Sequence, residues 1–275
     1  MVKDGFNHLR TKEIQRQLLQ DYMRTLEQQK SVVLGNRILT MTRFTSLILC
    51  LCFSTGHIFT QETTIPPGYS LTYEQSFDDP STIEDFEMSD SRAWRIHQDH
   101  DSSTLELFGK SEYEARVRSP FNIAMLKSLQ FGDFILEVDL AQTGREYGHR
   151  DLCLFFSMKD PTNFYYVHMA SVADDHANNI FLVNDEPRIK IASKTSKGTD
   201  WGATNSWHKV RIERNIREGN IKVYFDNMQV PVMEATDTHF EFGHIGFGSF
   251  DDTGRFDNIR IWAPALTPEK ATFFK

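Results

Sequence analysis

The chain has 275 residues, 40% hydrophobic and 25% charged, a globular composition that excludes a disordered or collagen-like chain. Its formal charge of −8, from 30 Lys and Arg against 38 Asp and Glu, argues against a dedicated nucleic-acid binder. Only three Cys occur, and Cys50 and Cys52 fall in one apolar stretch, so a disulfide scaffold is excluded.

That stretch, residues 44–53, is the first element with a clear meaning. It is about half the length a membrane-spanning helix needs. It follows Met41-Thr-Arg43 and gives way to small and polar residues, the layout of a secretory leader. A leader is N-terminal, so translation is read as beginning at Met41, with 1–40 an upstream extension of the gene model. Residues 41–60 are then the signal peptide and 61–275 a single domain with no membrane span. The expected destination is the periplasm, or secretion beyond it. The domain keeps 22 basic and 34 acidic residues, a net charge of −12, which would repel a long polyanion and favours a short anionic ligand.

From about residue 70 the pattern is all-β. Runs of β-branched and aromatic residues, bounded by Gly, Pro, Asn and Asp, predict strands at 93–97, 104–108, 131–140, 152–158, 163–170, 179–184, 188–193, 207–214, 221–226, 241–250 and 255–262. So many short strands with scarce helical periodicity predict a two-sheet antiparallel sandwich or jelly roll. Alternation assigns the faces. Phe134, Leu136, Val138 and Leu140 point inward, and Glu137 and Asp139 point to solvent. In the run at 207–214 the inward set is read as Trp207, Val210 and Ile212, with an irregularity near His208. Trp262 is read as core, and Cys153 as a buried structural thiol.

Three segments carry a family resemblance: Phe131-Gly-Asp-Phe-Ile-Leu-Glu137; Trp207-His-Lys-Val-Arg-Ile-Glu213 with Ile221-Lys-Val-Tyr-Phe-Asp226; and Gly243-His-Ile-Gly-Phe-Gly248 with Phe256-Asp-Asn-Ile-Arg-Ile-Trp262. Together they resemble the concanavalin A-like lectin and glucanase superfamily over most of 70–265. The resemblance implies a jelly roll of exported carbohydrate-active proteins and does not fix an activity.

Polar residues of chemical interest are dense at 144–151, 163–168, 174–179 and 185–190. Tyr166 and His168 share one strand face, and Arg188 and Lys190 another. Glycoside hydrolysis needs two flanking carboxyl groups; the Glu-x-Asp-x-Glu pattern of the related glucanases is absent, and Glu137 with Asp139 is a partial match. β-Elimination from a uronic acid needs proton-transfer groups, which Tyr and His supply, and a cation to grip the carboxylate, which Arg supplies. Tyr166, His168 and His176 are the expected catalytic residues. His149, Arg150, Arg188, Lys190 and Trp201 are the expected substrate contacts, with Trp201 as a sugar-stacking platform. The chain also resembles the exported oligosaccharide dehydratases of marine bacterial ulvan utilisation, which implies removal of water from a terminal uronic acid of an acidic oligosaccharide. No cofactor is required. A structural calcium ion is expected between Asp78 or Asp79 and Asp257, and a divalent ion is a weaker expectation at Asp174-Asp175-His176 with His168 or His149. The alternative is a non-catalytic sugar-binding jelly roll relying on Trp201 or Tyr165, or a hydrolase using Glu137 and Asp139.

Overall fold

The computed structural model describes residues 64–100, 102–264, 266–268 and 270–274, all within the unit Thr60–Lys275. The expected extension at 1–40 and leader at 41–60 lie outside the described residues. In chain order the strands are β1 (Ser70–Gln75), β2 (Phe86–Met88), β3 (Trp94–Asp99), β4 (Ser102–Leu107), β5 (Asn122–Leu126), β6 (Leu129–Phe131), β7 (Phe134–Gln142), β8 (Asp151–Asp160) and β9 (Asn163–Ala170). They continue with β10 (Asn179–Asn184), β11 (Ile189–Lys190), β12 (Ala192–Thr195), β13 (Trp207–Asn215), β14 (Asn220–Phe225), β15 (Met233–Thr236), β16 (His244–Ser249), β17 (Gly254–Ala263) and β18 (Leu266–Pro268).

Two sheets form an antiparallel jelly-roll sandwich. The nine-stranded sheet runs β12-β15-β14-β13-β7-β17-β4-β3, with β1 also paired to β17, and the seven-stranded sheet runs β11-β10-β9-β8-β16-β5-β2. Between them lies the main core. Leu136, Val138 and Leu140 of β7, Val210 and Ile212 of β13, and Phe256, Ile259 and Ile261 of β17 meet Leu154, Phe156, Val167, Met169, Ile180, Leu182 and Phe247 from the second sheet.

Strand alternation corrects two expectations. The pairing of β13 with β7 runs without a break from Trp207 opposite Ala141 to Arg214 opposite Phe134, so His208, not Trp207, shares the inward face with Val210 and Ile212. Trp207 is 45% exposed, whereas His208 stacks on Phe225 with ring centroids 4.7 Å apart. Glu137 does point away from the core, but it is buried, because Arg211 on the neighbouring strand lies against it (Nη2–Oε1 2.6 Å). Asp139 keeps partial exposure and pairs with Lys209 at 2.7 Å. Carboxylates engaged in this way do not form an open acid–base pair for hydrolysis.

The outer face of the second sheet is apolar as well. Ile123, Met125, Cys153, Phe155, Met158, Phe164, Tyr166, Phe181 and Val183 cluster there beneath Val117 and the chain's Ala271, Phe273 and Phe274. Burying a large apolar side chain contributes about 1.5–3 kcal/mol, which favours closure of this face. The tail is held by Glu87, whose carboxylate accepts the Phe273 and Phe274 N–H groups at 2.7 and 3.1 Å. Gly248 of β16 marks the tightest crossing on this sheet, since a Cβ there would sit 1.8 Å from the Asn122 carbonyl oxygen.

Candidate functional site

The site grows out of the pairing of β8, β9 and β10. Cys153 stands opposite His168 and Phe155 opposite Tyr166, while Phe181 faces Tyr166 across β10. Directly opposed residues share a face, and Asp151 lies two residues before Cys153. Asp151, Cys153, Tyr166, His168 and Phe181 therefore all project from the outer face of the second sheet.

Tyr166 is sandwiched between Phe181 (5.1 Å, 14°) and Phe155 (5.9 Å, 28°). Arg188, between β10 and β11, closes over it. Its Nη1 donates to the Tyr166 hydroxyl at 2.6 Å and its Nη2 to the His176 carbonyl at 2.7 Å. The guanidinium carbon lies 4.8 Å from the Phe181 ring centre and 4.4 Å from that of Phe250. The Phe250 ring also lies nearly parallel to the imidazole of His168, with centroids 6.1 Å apart.

His168 rests on a buried carboxylate. Its Nε2 is 3.3 Å from Asp151 Oδ2, close enough for charge pairing though not aligned as a hydrogen bond. The same oxygen accepts the Phe250 N–H at 2.8 Å and the Cys153 thiol at 3.2 Å. Burial would push the Asp151 carboxyl up, but the charge of His168 and these donors outweigh it and hold the carboxyl below its ordinary range. Burial, reinforced by the Asp151 charge, pushes the Cys153 thiol well up. Burial likewise pushes the Tyr166 phenol well up, against the charge of Arg188, so both groups are neutral. Cys153 is the buried structural thiol expected from its strand.

The loop after β16 adds two acids that lie far from this cluster in sequence. Asp252 Oδ2 accepts the Asp151 N–H at 3.0 Å and the Tyr147 hydroxyl at 2.7 Å. Burial raises Asp252 to about 7, the Tyr147 hydrogen bond opposing and the Asp151 charge adding to the rise. Burial and then Asp151 also raise Asp251. Among the described residues, the ligand-type groups that converge are Asp151–Cys153–His168 and Asp151–Asp251–Asp252. The set expected around Asp174, Asp175 and His176 does not converge in this way. Burial, with the charges of Asp139 and Asp78 adding to it, raises Asp257 to about 6.

The remaining expected contacts divide. His149 lies at the rim, its Nε2 3.1 Å from Asp174 Oδ2, and His176 is exposed beside the Arg188 contact. Lys190 pairs with Asp175 at the surface. Arg150 is buried and engaged elsewhere, with Ser171 Oγ at 3.1 Å and the Gly202 carbonyl at 2.6 Å. Trp201 is not a platform. It is 1% exposed, donates from Nε1 to the Met169 carbonyl at 3.3 Å, and meets His208 and Phe225 edge-on. Tyr165 is also core, with its hydroxyl between Asp237 and the Phe240 N–H.

Beside Phe250 the segment 110–121 walls a cavity of about 980 Å³ lined by Lys110, Tyr113, Glu114, Arg118 and Phe121 among others. Phe121 meets Phe250 edge-on at 6.0 Å, and the Arg118 carbonyl accepts the Arg188 N–H at 3.2 Å. The cavity thus adjoins the Arg188 cap. Its residues carry no strand pattern and no compact motif, so the sequence reading passed over them.

The fold and this cluster define a jelly-roll sandwich with a capped Tyr–His–Asp–Arg centre on one sheet. No protein-family model matches the chain, and no curated protein matches it. Among solved structures it is similar to a galectin-like protein of unknown function from Bacillus subtilis (TM-score 0.49, 14% identity, 70% of this chain and 97% of that one). It is also similar to the carbohydrate-binding module CBM66 from Bacillus subtilis (0.45, 17%, 64% and 93%). A third is domain 4 of the arabinanase AbnA from Geobacillus stearothermophilus (0.44, 14%, 73% and 95%). At these identities the function has to be argued from the site itself.

Proposed function

We propose that this chain is an exported carbohydrate-active protein that eliminates water from the terminal uronic acid of short acidic oligosaccharides. The observation that carries the reading is the convergence of Tyr166, His168 and Arg188 over the buried Asp151. In the proposed step His168 takes the proton next to the substrate carboxylate, and its positive charge is balanced by Asp151. Arg188 grips the carboxylate as enolate-like charge builds there. Tyr166, kept protonated by its burial, gives its proton to the departing hydroxyl, which leaves as water, and the ring gains a carbon–carbon double bond. Return of the proton from His168 to Tyr166 resets the site. The aromatic rings of Phe250 and Phe121 offer faces for the sugar, and the cavity walled by 110–121 offers room for it. The leader-like stretch at 44–53 supports export, to the periplasm first.

A second reading, saccharide binding without chemistry, is favoured by the 5% exposure of His168 and the full burial of Tyr166. One experiment separates the two. The protein is incubated with uronate-ended oligosaccharides while ultraviolet absorbance of the unsaturated uronate and product mass are followed. Loss of one water without chain cleavage, abolished in folded His168→Ala and Tyr166→Phe, is the expected result. Saturable binding with no mass change would replace the dehydratase by a binding module.

A further inference from the structure

Three side chains that carry different metal-donor atoms meet at the floor of the proposed centre. A carboxylate oxygen of Asp151, Sγ of Cys153 and a ring nitrogen of His168 lie within 4.8 Å of one another, and all three residues are buried. Strand pairing fixes them there. Cys153 stands opposite His168, and Asp151 projects from the same face of β8 two residues earlier. Ligands carried by neighbouring strands are held more firmly than ligands on loops and need little rearrangement to close on an ion.

A second, independent observation comes from the imidazole. His168 is 5% exposed, and among the described residues neither Nδ1 nor Nε2 has a hydrogen-bond partner. Buried ring nitrogens left in this way cost free energy in a folded protein. Nε2 is 3.3 Å from Asp151 Oδ2, inside hydrogen-bond distance, so what rules out a bond is direction: the nitrogen points beside the oxygen, not at it. Two ligands of one ion are related like this, since each aims at the ion. The separations agree as well. In a tetrahedral zinc site, ligand bonds of about 2.0–2.3 Å place the ligand atoms about 3.3–3.6 Å from one another. Asp151 Oδ2 lies 3.3 Å from His168 Nε2 and 3.2 Å from Cys153 Sγ.

We propose that Asp151, Cys153 and His168 bind one zinc ion, and that zinc held there switches the proposed elimination off. Sulfur and imidazole donors together select zinc over the oxygen-seeking calcium and magnesium. Three protein ligands leave a fourth tetrahedral position for water, the layout of an open site and not of a closed structural one. On binding, the Cys153 thiol releases its proton to solvent, and its hydrogen bond to Asp151 gives way to a sulfur–metal bond. Asp251 and Asp252 adjoin Asp151 and add negative charge that a dication offsets, with the charge of Arg188 opposing. The inhibitory half of the proposal rests on the reading of His168 as the base. A neutral imidazole has one basic nitrogen, and once Nε2 gives its lone pair to zinc none remains to take a proton from substrate.

The test uses the whole chain, freed of metal by a chelator and titrated with cobalt(II), a spectroscopic stand-in for zinc. A near-ultraviolet thiolate-to-cobalt band that saturates at one equivalent and is displaced by zinc is expected. The band should vanish in Cys153→Ser, a variant that keeps Cys50 and Cys52. In His168→Gln the affinity should fall by about 10–100-fold or more, since even a change behind the ligands costs that much. In the absorbance assay, one equivalent of zinc should lower the wild-type rate by about 10²-fold or more, the size of one lost acid–base group, and a chelator should restore it. In Cys153→Ser the ratio of the two rates should approach unity. Absence of the cobalt band in the wild-type chain would overturn the proposal. So would a band that survives Cys153→Ser, or bound zinc that leaves turnover unchanged. A chain that binds cobalt through Cys153 yet never forms unsaturated product would keep the site and remove the elimination reading instead.

Discussion

Replacing Arg188 by Ala probes the cap on the proposed centre. The guanidinium faces two aromatic rings, at 4.8 and 4.4 Å, each contact contributing about 0.5–1 kcal/mol. Its 2.6 Å bond to the Tyr166 hydroxyl is of the charged class, about 1.5–3 kcal/mol, which partial exposure of Arg188 reduces. A net loss of about 2 kcal/mol is therefore expected, lowering the melting temperature by about 4–8 °C in a domain of this size. If Arg188 also grips the substrate carboxylate, turnover should fall by about 10²–10³, the size of one lost charge-stabilising donor. Arg188→Lys should recover little of either, because an ammonium cannot lie flat between two rings or donate as a fork. Calorimetric melting and the absorbance assay on the same samples give both numbers. A variant that melts with the wild type and turns over at the wild-type rate would refute the assignment of Arg188 as cap and carboxylate grip together.

Further expectations concern the frame around this centre. Arg211→Ala removes the guanidinium facing Glu137 in a pair whose side chains are each 8% exposed, and should cost about 3–5 kcal/mol by urea denaturation. Replacing both partners by apolar residues of similar volume should cost far less. Gly248→Ala, with its Cβ 1.8 Å from the Asn122 oxygen, should fail to give soluble protein, whereas Gly109→Ala, whose nearest neighbour is 4.0 Å away, should be tolerated. Asp252 moves from 3.8 in the unfolded chain to about 7 in the fold, so between these values the folded state holds a proton the unfolded chain has lost. Its contribution to stability is full below pH 3.8 and is lost as the pH rises through about 7. In metal-free buffer, Asp252→Asn should flatten the fall in melting temperature between pH 4 and 7; an unchanged slope would remove Asp252 as its source.

Strand pattern made much of the fold legible. The runs at 163–170 and 179–184 coincide with β9 and β10, because a stretch rich in aromatic and aliphatic residues begins on Asn163 in one and on Asn179 in the other. The shared face of Tyr166 and His168 follows from the same period. Strands such as β1, β2, β5 and β15 escaped notice because they are short or lie among polar residues, and their pairing depends on partners as distant as β17 for β1. The misplaced residues share one physical cause. Trp201 in its loop and Glu137 on an outward face are buried, and His208 on an inward one is partly covered, by side chains arriving from other strands, which composition and alternation do not register. Asp251 and Asp252 were passed over for a related reason, since their contacts depend on Asp151, about a hundred residues earlier.

The position of β17 has a further consequence, for biosynthesis. It pairs with β7, with β4 and, near its other end, with β1, yet it is translated after all three. A nascent chain emerging from the ribosome therefore carries the other eight strands of this sheet in three separate parts, β12-β15-β14-β13-β7, β4-β3 and β1, with unsatisfied strand edges along the place β17 will fill. Such edges recruit other chains, and pairings this distant in sequence close slowly. Any truncation that ends before Gly254 should accumulate as aggregate rather than as a smaller folded domain, and the yield of native protein should depend on how long the unfinished chain is shielded during synthesis.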